Sequence, residues 1–258
     1  MRKTFFYLIL FTCIIASKPL FQASAVEILL EEISTGTFHE ERLAEYQLQS
    51  SSSEEYLALY LFAKGYLEMR RFEYGQAFHS FHDSLNLLEE NPLDRLEIEL
   101  RFYLAEMDLA FRNIPRGMQH SLRLAELSSS LHLQERLVDA YYNLTVGYRY
   151  YYDERESSKY AEEAYRLSKE INYLFGMATY YAYAADTAIN YFQNPQGGYD
   201  FYAKSYEMLP EKRYDQFHMD YDKTLRNAMF YVRMAYFEMK PSIQILKRPF
   251  HQKIPRTQ

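Results

Sequence analysis

Apolar residues recur at helical spacing along most of the chain, and no alternating run bounded by turns predicts a strand. Glycine and proline are scarce, at 8 each among 258 residues, so little interrupts the helical pattern. The pattern predicts helices over 55–70, 74–89, 94–112, 115–130, 134–152, 155–170, 173–192, 196–208 and 213–239. The sequence therefore predicts an all-α protein.

The segment 1–25 has the pattern of an export signal. A basic start is followed by an apolar run from Phe5 to Ala16, and Ala23-Ser24-Ala25 is the small-x-small pattern that a signal peptidase accepts. The run is shorter than the roughly 20 residues of a spanning helix, which favours cleavage after Ala25 over an uncleaved anchor. Lipidation at Cys13 is a lesser alternative, because no small residue precedes it. We expect an exported protein, periplasmic in a Gram-negative bacterium and otherwise secreted.

Charge and cysteine content narrow the classes of partner. Cleavage after Ala25 removes three cations and no acid, so the net charge falls from -6 to -9, and the single cysteine, Cys13, is lost. Residues 241–258 form a basic tail that we expect to be flexible. The acidic body argues against nucleic acid as a partner. No second apolar stretch has the length of a membrane span.

The chain repeats itself with a period of about 40 residues, a length found among helical repeat families. Pro115 and Pro195 lie two such periods apart, each just after an asparagine-containing turn. Two columns at this step contain only small residues: Gly65, Ala105, Thr145 and Ala185, and Ala77, Gly117, Ser157 and Gly197. Small residues mark the places where two helices cross closely, so the columns predict a series of antiparallel helix pairs.

These columns resemble the tetratricopeptide repeat (TPR) family, whose repeat has small residues at its eighth and twentieth positions. The clearest copy is Leu61, Gly65, Tyr74, Ala77, Phe81 and Leu85, and the next is Tyr141, Leu144, Tyr148, Ser157, Ala161 and Ala164. The resemblance implies a right-handed superhelical solenoid of four to five antiparallel helix pairs plus a closing helix. It predicts one solenoid domain over residues 26–240.

The repeat length departs from the family pattern. A TPR repeat has about 34 residues, whereas the longer period of this chain is closer to HEAT or armadillo repeats. The Asp and Arg columns typical of HEAT repeats are missing here, so the TPR-like interpretation is preferred, with longer helices or connections.

No residue pattern predicts catalysis. His79 and His82 are three apart on one helix, a spacing that can bring two ligands to one metal, but no third ligand is evident and an exposed location is the commoner explanation. The sequence has no HExxH, no phosphate-binding glycine loop and no GxSxG. We therefore expect no cofactor, no metal and no enzymatic activity.

The resemblance also implies a concave groove lined by the first helix of each pair. Carried over copy by copy, the family's inward positions predict a partner-binding set that is aromatic with mixed charge. Its members are Phe62, Tyr66, Arg70, Phe102, Tyr103, Glu106, Asp139, Tyr142, Asn143, Arg149, Tyr183, Asp186 and Asn190. The 27 tyrosines suit such a groove, although packing between helices is an equal explanation for them.

Three functions remain open. The first is a scaffold that binds a protein or peptide in this groove. The second is the sensory or ligand-binding domain of a signalling system, including a truncated receptor. The third, an enzyme without a recognisable motif, is residual.

Overall fold

A computed structural model describes residues 25–89 and 92–208, and within them the chain is all-helical. The first helix, α1, covers residues 25–34. The others are α2 (Glu40–Ser50), α3 (Glu54–Arg70), α4 (Tyr74–Leu87), α5 (Asp94–Ala110), α6 (Ile114–Ser130), α7 (Gln134–Tyr150), α8 (Glu154–Glu170), α9 (Leu174–Asn190) and α10 (Pro195–Met208). The predicted all-α class is confirmed. The predicted helix at 213–239, the signal sequence and the basic tail lie outside the described residues.

Helix spacing explains the repeat length. From Glu54 of α3 to Leu174 of α9 the helix starts are evenly spaced along the chain, so one repeat is two equal helix-and-turn segments. The predicted starts of α3 to α10 agree with the structure to within one position. Ser53 caps α3, since its hydroxyl accepts a hydrogen bond from the backbone N–H of Tyr56 at 3.3 Å.

Six turns between the described helices share one backbone feature. Each contains one non-glycine residue in a left-handed conformation with φ of 50–64°: Phe72, Arg112, His132, Tyr152, Asn172 and Gln193. This residue is the second of its turn, except Gln193, which is the third residue after α9. After α7, the N–H of Asp153 donates to the carbonyl of Tyr148 at 3.0 Å, and after α6, Leu133 donates to Ser128 at 2.8 Å. These are Schellman bonds, which satisfy the last carbonyls of a helix and turn the chain back.

The turn between α9 and α10 has one residue more than the turns that follow α5, α6, α7 and α8. Helix α10 begins at Pro195, one position later than the even spacing of the earlier helices predicts, and the N–H of Asn194 reaches back past the usual acceptor position to Ala188. The extra residue shifts the register of α10. Gly198 is consequently buried against α9. The column of small residues predicted Gly197 at this contact, and Gly197 is only half-buried.

The described residues fall into two compact units, which meet in the chain between Met107 and Asp108. In the first unit, α3 packs against α4 and α2, and the core contains the stacked rings of Phe81 and Tyr103, 5.3 Å apart. In the second unit, consecutive helices from α6 to α10 pack on each other in pairs. None of the helices in these ranges is long and apolar enough to cross a membrane.

Close crossings occur at the small residues. A Cβ added to Gly65 would lie 2.8 Å from two ring carbons of Phe81 and 3.2 Å from the carbonyl oxygen of Ala77. In the second unit, a Cβ on Gly117 would lie 2.8 Å from Cγ of Leu109. The predicted close contacts at Ala77 and Gly117 are confirmed.

Candidate functional site

The predicted groove residues of the first unit are mostly packing residues. Phe62 and Tyr66 are fully buried, and Phe102 and Tyr103 nearly so. The ring of Tyr103 contacts both Phe62 and Tyr66, with centroids 6.1 and 6.4 Å apart. These aromatic side chains fill the space between α3 and α5, so they offer little surface to a partner in this conformation.

The two charged members of that set are more accessible. Arg70 is exposed at the end of α3, with its Cζ 5.9 Å from the ring centroid of Tyr66 and Nη1 3.4 Å from the carbonyl oxygen of Phe38. Glu106 is half-buried on α5.

In the second unit, Asp139 and Tyr142 hold α7 in place. Asp139 is buried and accepts hydrogen bonds from Nη1 of Arg136 at 2.8 Å and from the hydroxyl of Tyr173 at 3.2 Å. Burial raises the pKa of Tyr173 well above its ordinary value, so its hydroxyl keeps the proton that it donates. Tyr142 is buried in an apolar cluster that includes Val138.

Asn143, also on α7, has an amide nitrogen that lacks a hydrogen-bond partner. The residue is 3% exposed on α7, and its Nδ2 makes no hydrogen bond. A buried donor left in this state costs about 1–3 kcal/mol, and native proteins rarely leave one without a reason. Asn143 therefore has an unused hydrogen-bond donor that lies beneath the surface of the second unit.

Arg149, at the end of α7, is the centre of a polar cluster with α9. Its Nη2 donates to Oγ1 of Thr187 at 2.9 Å, and its Nη1 lies 3.7 Å from Oδ2 of Asp186. The guanidinium lies over the ring of Tyr183. Its Nε is buried and has no hydrogen-bond partner. Arg149 is thus held in place on three sides while one of its donors remains unused.

Three predicted residues share the α9 face of this cluster. Tyr183, Asp186 and Asn190 are spaced by three and four positions, which places them along one stripe of the helix. The hydroxyl of Tyr202 on α10 donates to Asp186, and burial raises the pKa of that carboxyl above its ordinary value. Asn190 is exposed at the end of the stripe. The structure brings together Arg149, Tyr183 and Asp186.

The sequence analysis missed an exposed aromatic surface in the second unit. We call it the aromatic edge. It consists of six side chains at the ends of α5, α7 and α9, all between 42% and 75% exposed: Phe111, Tyr150, Tyr151, Tyr152, Tyr191 and Phe192. The aromatic column at the repeat step, Phe111, Tyr151 and Tyr191, is a signal in the sequence that could have found it.

The two histidines considered as metal ligands lie on α4. His79 is exposed and His82 half-buried. The ring of Phe78 lies against both, with centroids 4.6 Å from His82 and 6.3 Å from His79.

Comparison with known proteins supports the fold alone. No protein-family model matches the sequence, and no curated protein matches it. Among solved structures, the crystal structure of BtubC (BKLC) from P. vanneervenii is similar, with a TM-score of 0.52 and 10% sequence identity. The similarity covers 80% of this chain and 83% of that chain. At this identity it supports an all-helical arrangement and carries no information on the ligand.

Proposed function

We propose that this chain is an exported TPR-like scaffold that binds a peptide segment of another protein through α7 and α9 of the second unit. The observation that carries the proposal is that α7 buries two N–H donors without acceptors, Nδ2 of Asn143 and Nε of Arg149. Both residues are at positions that the TPR resemblance assigns to the ligand-facing helix. Main-chain carbonyls and carboxylates of a peptide supply the missing acceptors.

The surrounding chemistry favours a binding role over catalysis. Arg149 is oriented by Thr187, Asp186 and the ring of Tyr183, so little side-chain entropy is lost when its remaining donor is used. Arginine and tyrosine are the residues in which binding energy concentrates at protein interfaces. Both unused donors are covered, so binding requires rotamer changes in neighbouring side chains, as is common at interfaces.

A displayed random-peptide library selected on the mature chain from Val26 provides ligands for the test. Asn143→Leu and Arg149→Met should each weaken the Kd for a selected peptide about tenfold or more. Asn143→Leu should at the same time leave the melting temperature unchanged or raise it, because it removes a buried unsatisfied donor.

The control is Arg166→Met, which removes an exposed cation on α8. If Asn143→Leu and Arg149→Met fold and bind like the wild type, the proposed site is wrong. Loss of binding only together with loss of helicity would mean that these side chains serve packing alone.

Export is part of the proposal and has a separate test. Protein recovered from the exported fraction should begin at Val26, as N-terminal sequencing would show. An intact Met1 on membrane-bound protein would favour an uncleaved anchor.

A further inference from the structure

Two contacts connect the helix ends that carry the aromatic edge. Cζ of Arg112, beside Phe111, lies 5.7 Å from the ring centroid of Tyr150, which links the end of α5 to the end of α7. The hydroxyl of Tyr191 donates to Glu154 at the start of α8, which links the ends of α7 and α9. The three helix ends that carry the six exposed rings are therefore neighbours in the second unit.

The area of this surface is large for a monomer. With about 200 Å² for each aromatic side chain, the exposed fractions amount to roughly 700 Å². The largest apolar patch on a typical monomer is about 300–600 Å², whereas a standard interface buries about 800 Å² on each partner. The aromatic edge is close to the size that a stable interface needs.

Charge on the edge selects the partner. Charged side chains of both signs accompany the rings: Arg112 and Arg155 are exposed beside them in the chain, together with Asp153 and the half-buried Glu154. The whole chain has a net charge of -6, which opposes contact between two copies elsewhere on their surfaces. At the aromatic edge a cation of one copy can face an anion of the other.

We propose that the aromatic edge is the interface of a homodimer, in which the edge of one copy packs on the same edge of a second copy. A two-fold interface requires a self-complementary patch, and a surface of rings with charges of both signs meets this requirement. Tyrosine and phenylalanine are enriched at the centres of such interfaces. This proposal does not rest on peptide binding at Asn143 and Arg149.

Sedimentation velocity between about 1 and 100 µM tests the proposal, a range that covers micromolar dissociation constants. The wild-type chain should shift from monomer to dimer within it. The double variant Tyr152→Ser/Phe192→Ser removes the two most exposed rings, each 75% exposed, and should weaken the dimer at least tenfold. Because both rings are exposed, its circular dichroism melt should match that of the wild type.

Leu122→Ser is the matched control, since Leu122 is 50% exposed on α6 and its replacement removes apolar surface away from the edge. This variant should dimerise like the wild type. A wild-type chain that stays monomeric at the top of that concentration range overturns the proposal, even if a different partner is later found to bind the aromatic edge. So does a double variant that dimerises with wild-type affinity, or a control that loses the dimer equally.

Discussion

The guanidinium of Arg149 lies over the ring of Tyr183, with Cζ 4.1 Å from the ring centroid. The two residues belong to α7 and α9, which are separated in the chain by α8. The contact therefore joins alternate helices, which pack on each other less extensively than consecutive ones do.

Replacing Tyr183 by leucine should lower the free energy of unfolding by about 1 kcal/mol, because a partly desolvated cation–π contact is worth about 0.5–2 kcal/mol. Urea denaturation would measure the change. Tyr183→Phe is the control, since it keeps the ring and loses only the hydroxyl, 3.2 Å from Oγ of Ser158. Equal losses in both variants would show that the hydroxyl, rather than the ring, carries the stabilisation.

Two glycines in the first unit should respond to alanine in opposite directions. Gly65→Ala should lower the free energy of unfolding by about 1–3 kcal/mol, because the new methyl group would overlap Phe81 and press on the carbonyl of Ala77. Gly75→Ala meets no atom within 4 Å and should stabilise by up to about 1 kcal/mol through helix propensity. Thermal melts of both variants test this, and a gain in stability from both would mean that the α3–α4 crossing is not close.

The left-handed turn residues offer a gain in stability. His132 is exposed with φ of 56°, a conformation that costs a non-glycine residue about 1 kcal/mol. His132→Gly should raise the free energy of unfolding by about that amount, less the added entropy of the unfolded chain. Ser129→Gly, in the last turn of α6, should lower it by about 0.5 kcal/mol. A melting temperature that falls in both variants would contradict the turn geometry.

The carboxyl of Asp186 makes stability depend on pH. Its pKa is raised in the folded chain above the unfolded value of about 3.9, so folding favours the protonated form. The stability it contributes is fully present below the unfolded pKa and is lost as the pH rises through the folded pKa. Asp186→Asn should therefore be more stable than the wild type at pH 7.

That gain should shrink as the pH is lowered from 7 towards 4, as urea titrations at several pH values would show. Asp200→Asn, an exposed acid on α10, is the control and should give no gain at pH 7. A loss of stability in Asp186→Asn at pH 7 would mean that the interaction with Arg149 outweighs the cost of burial.

The helices were predictable because their signals are local. Proline, asparagine and serine mark the helix starts, and a constant step from one helix start to the next repeats those signals along the chain. The turn conformation was not predictable, because the left-handed positions hold residues such as Phe72 and Tyr152 where glycine is usual.

The candidate site was only partly predictable. Family positions grouped Tyr183 with Asp186, and the structure places both beside Arg149, because residues three apart share a helix face. Family positions also predicted Phe62 and Tyr66 as ligand-facing, and the structure places both in the core. Which aromatic rings interlock between helices depends on packing across the unit, and a position number within one repeat does not encode it.

The additional residue before α10 changes what counts as an interchangeable module in this chain. Segments cut at the left-handed turn residues keep each helix in register with its neighbour, whereas segments cut at the constant step of the earlier helices do not once the cut passes Gln193. A chimera that transplants α10 behind α7 by residue count would place Gly197 rather than Gly198 against the neighbouring helix. Repeat shuffling in this protein must therefore join the chain at its turns. A splice designed by residue count needs a deletion of one residue before α10 to restore the register of that helix.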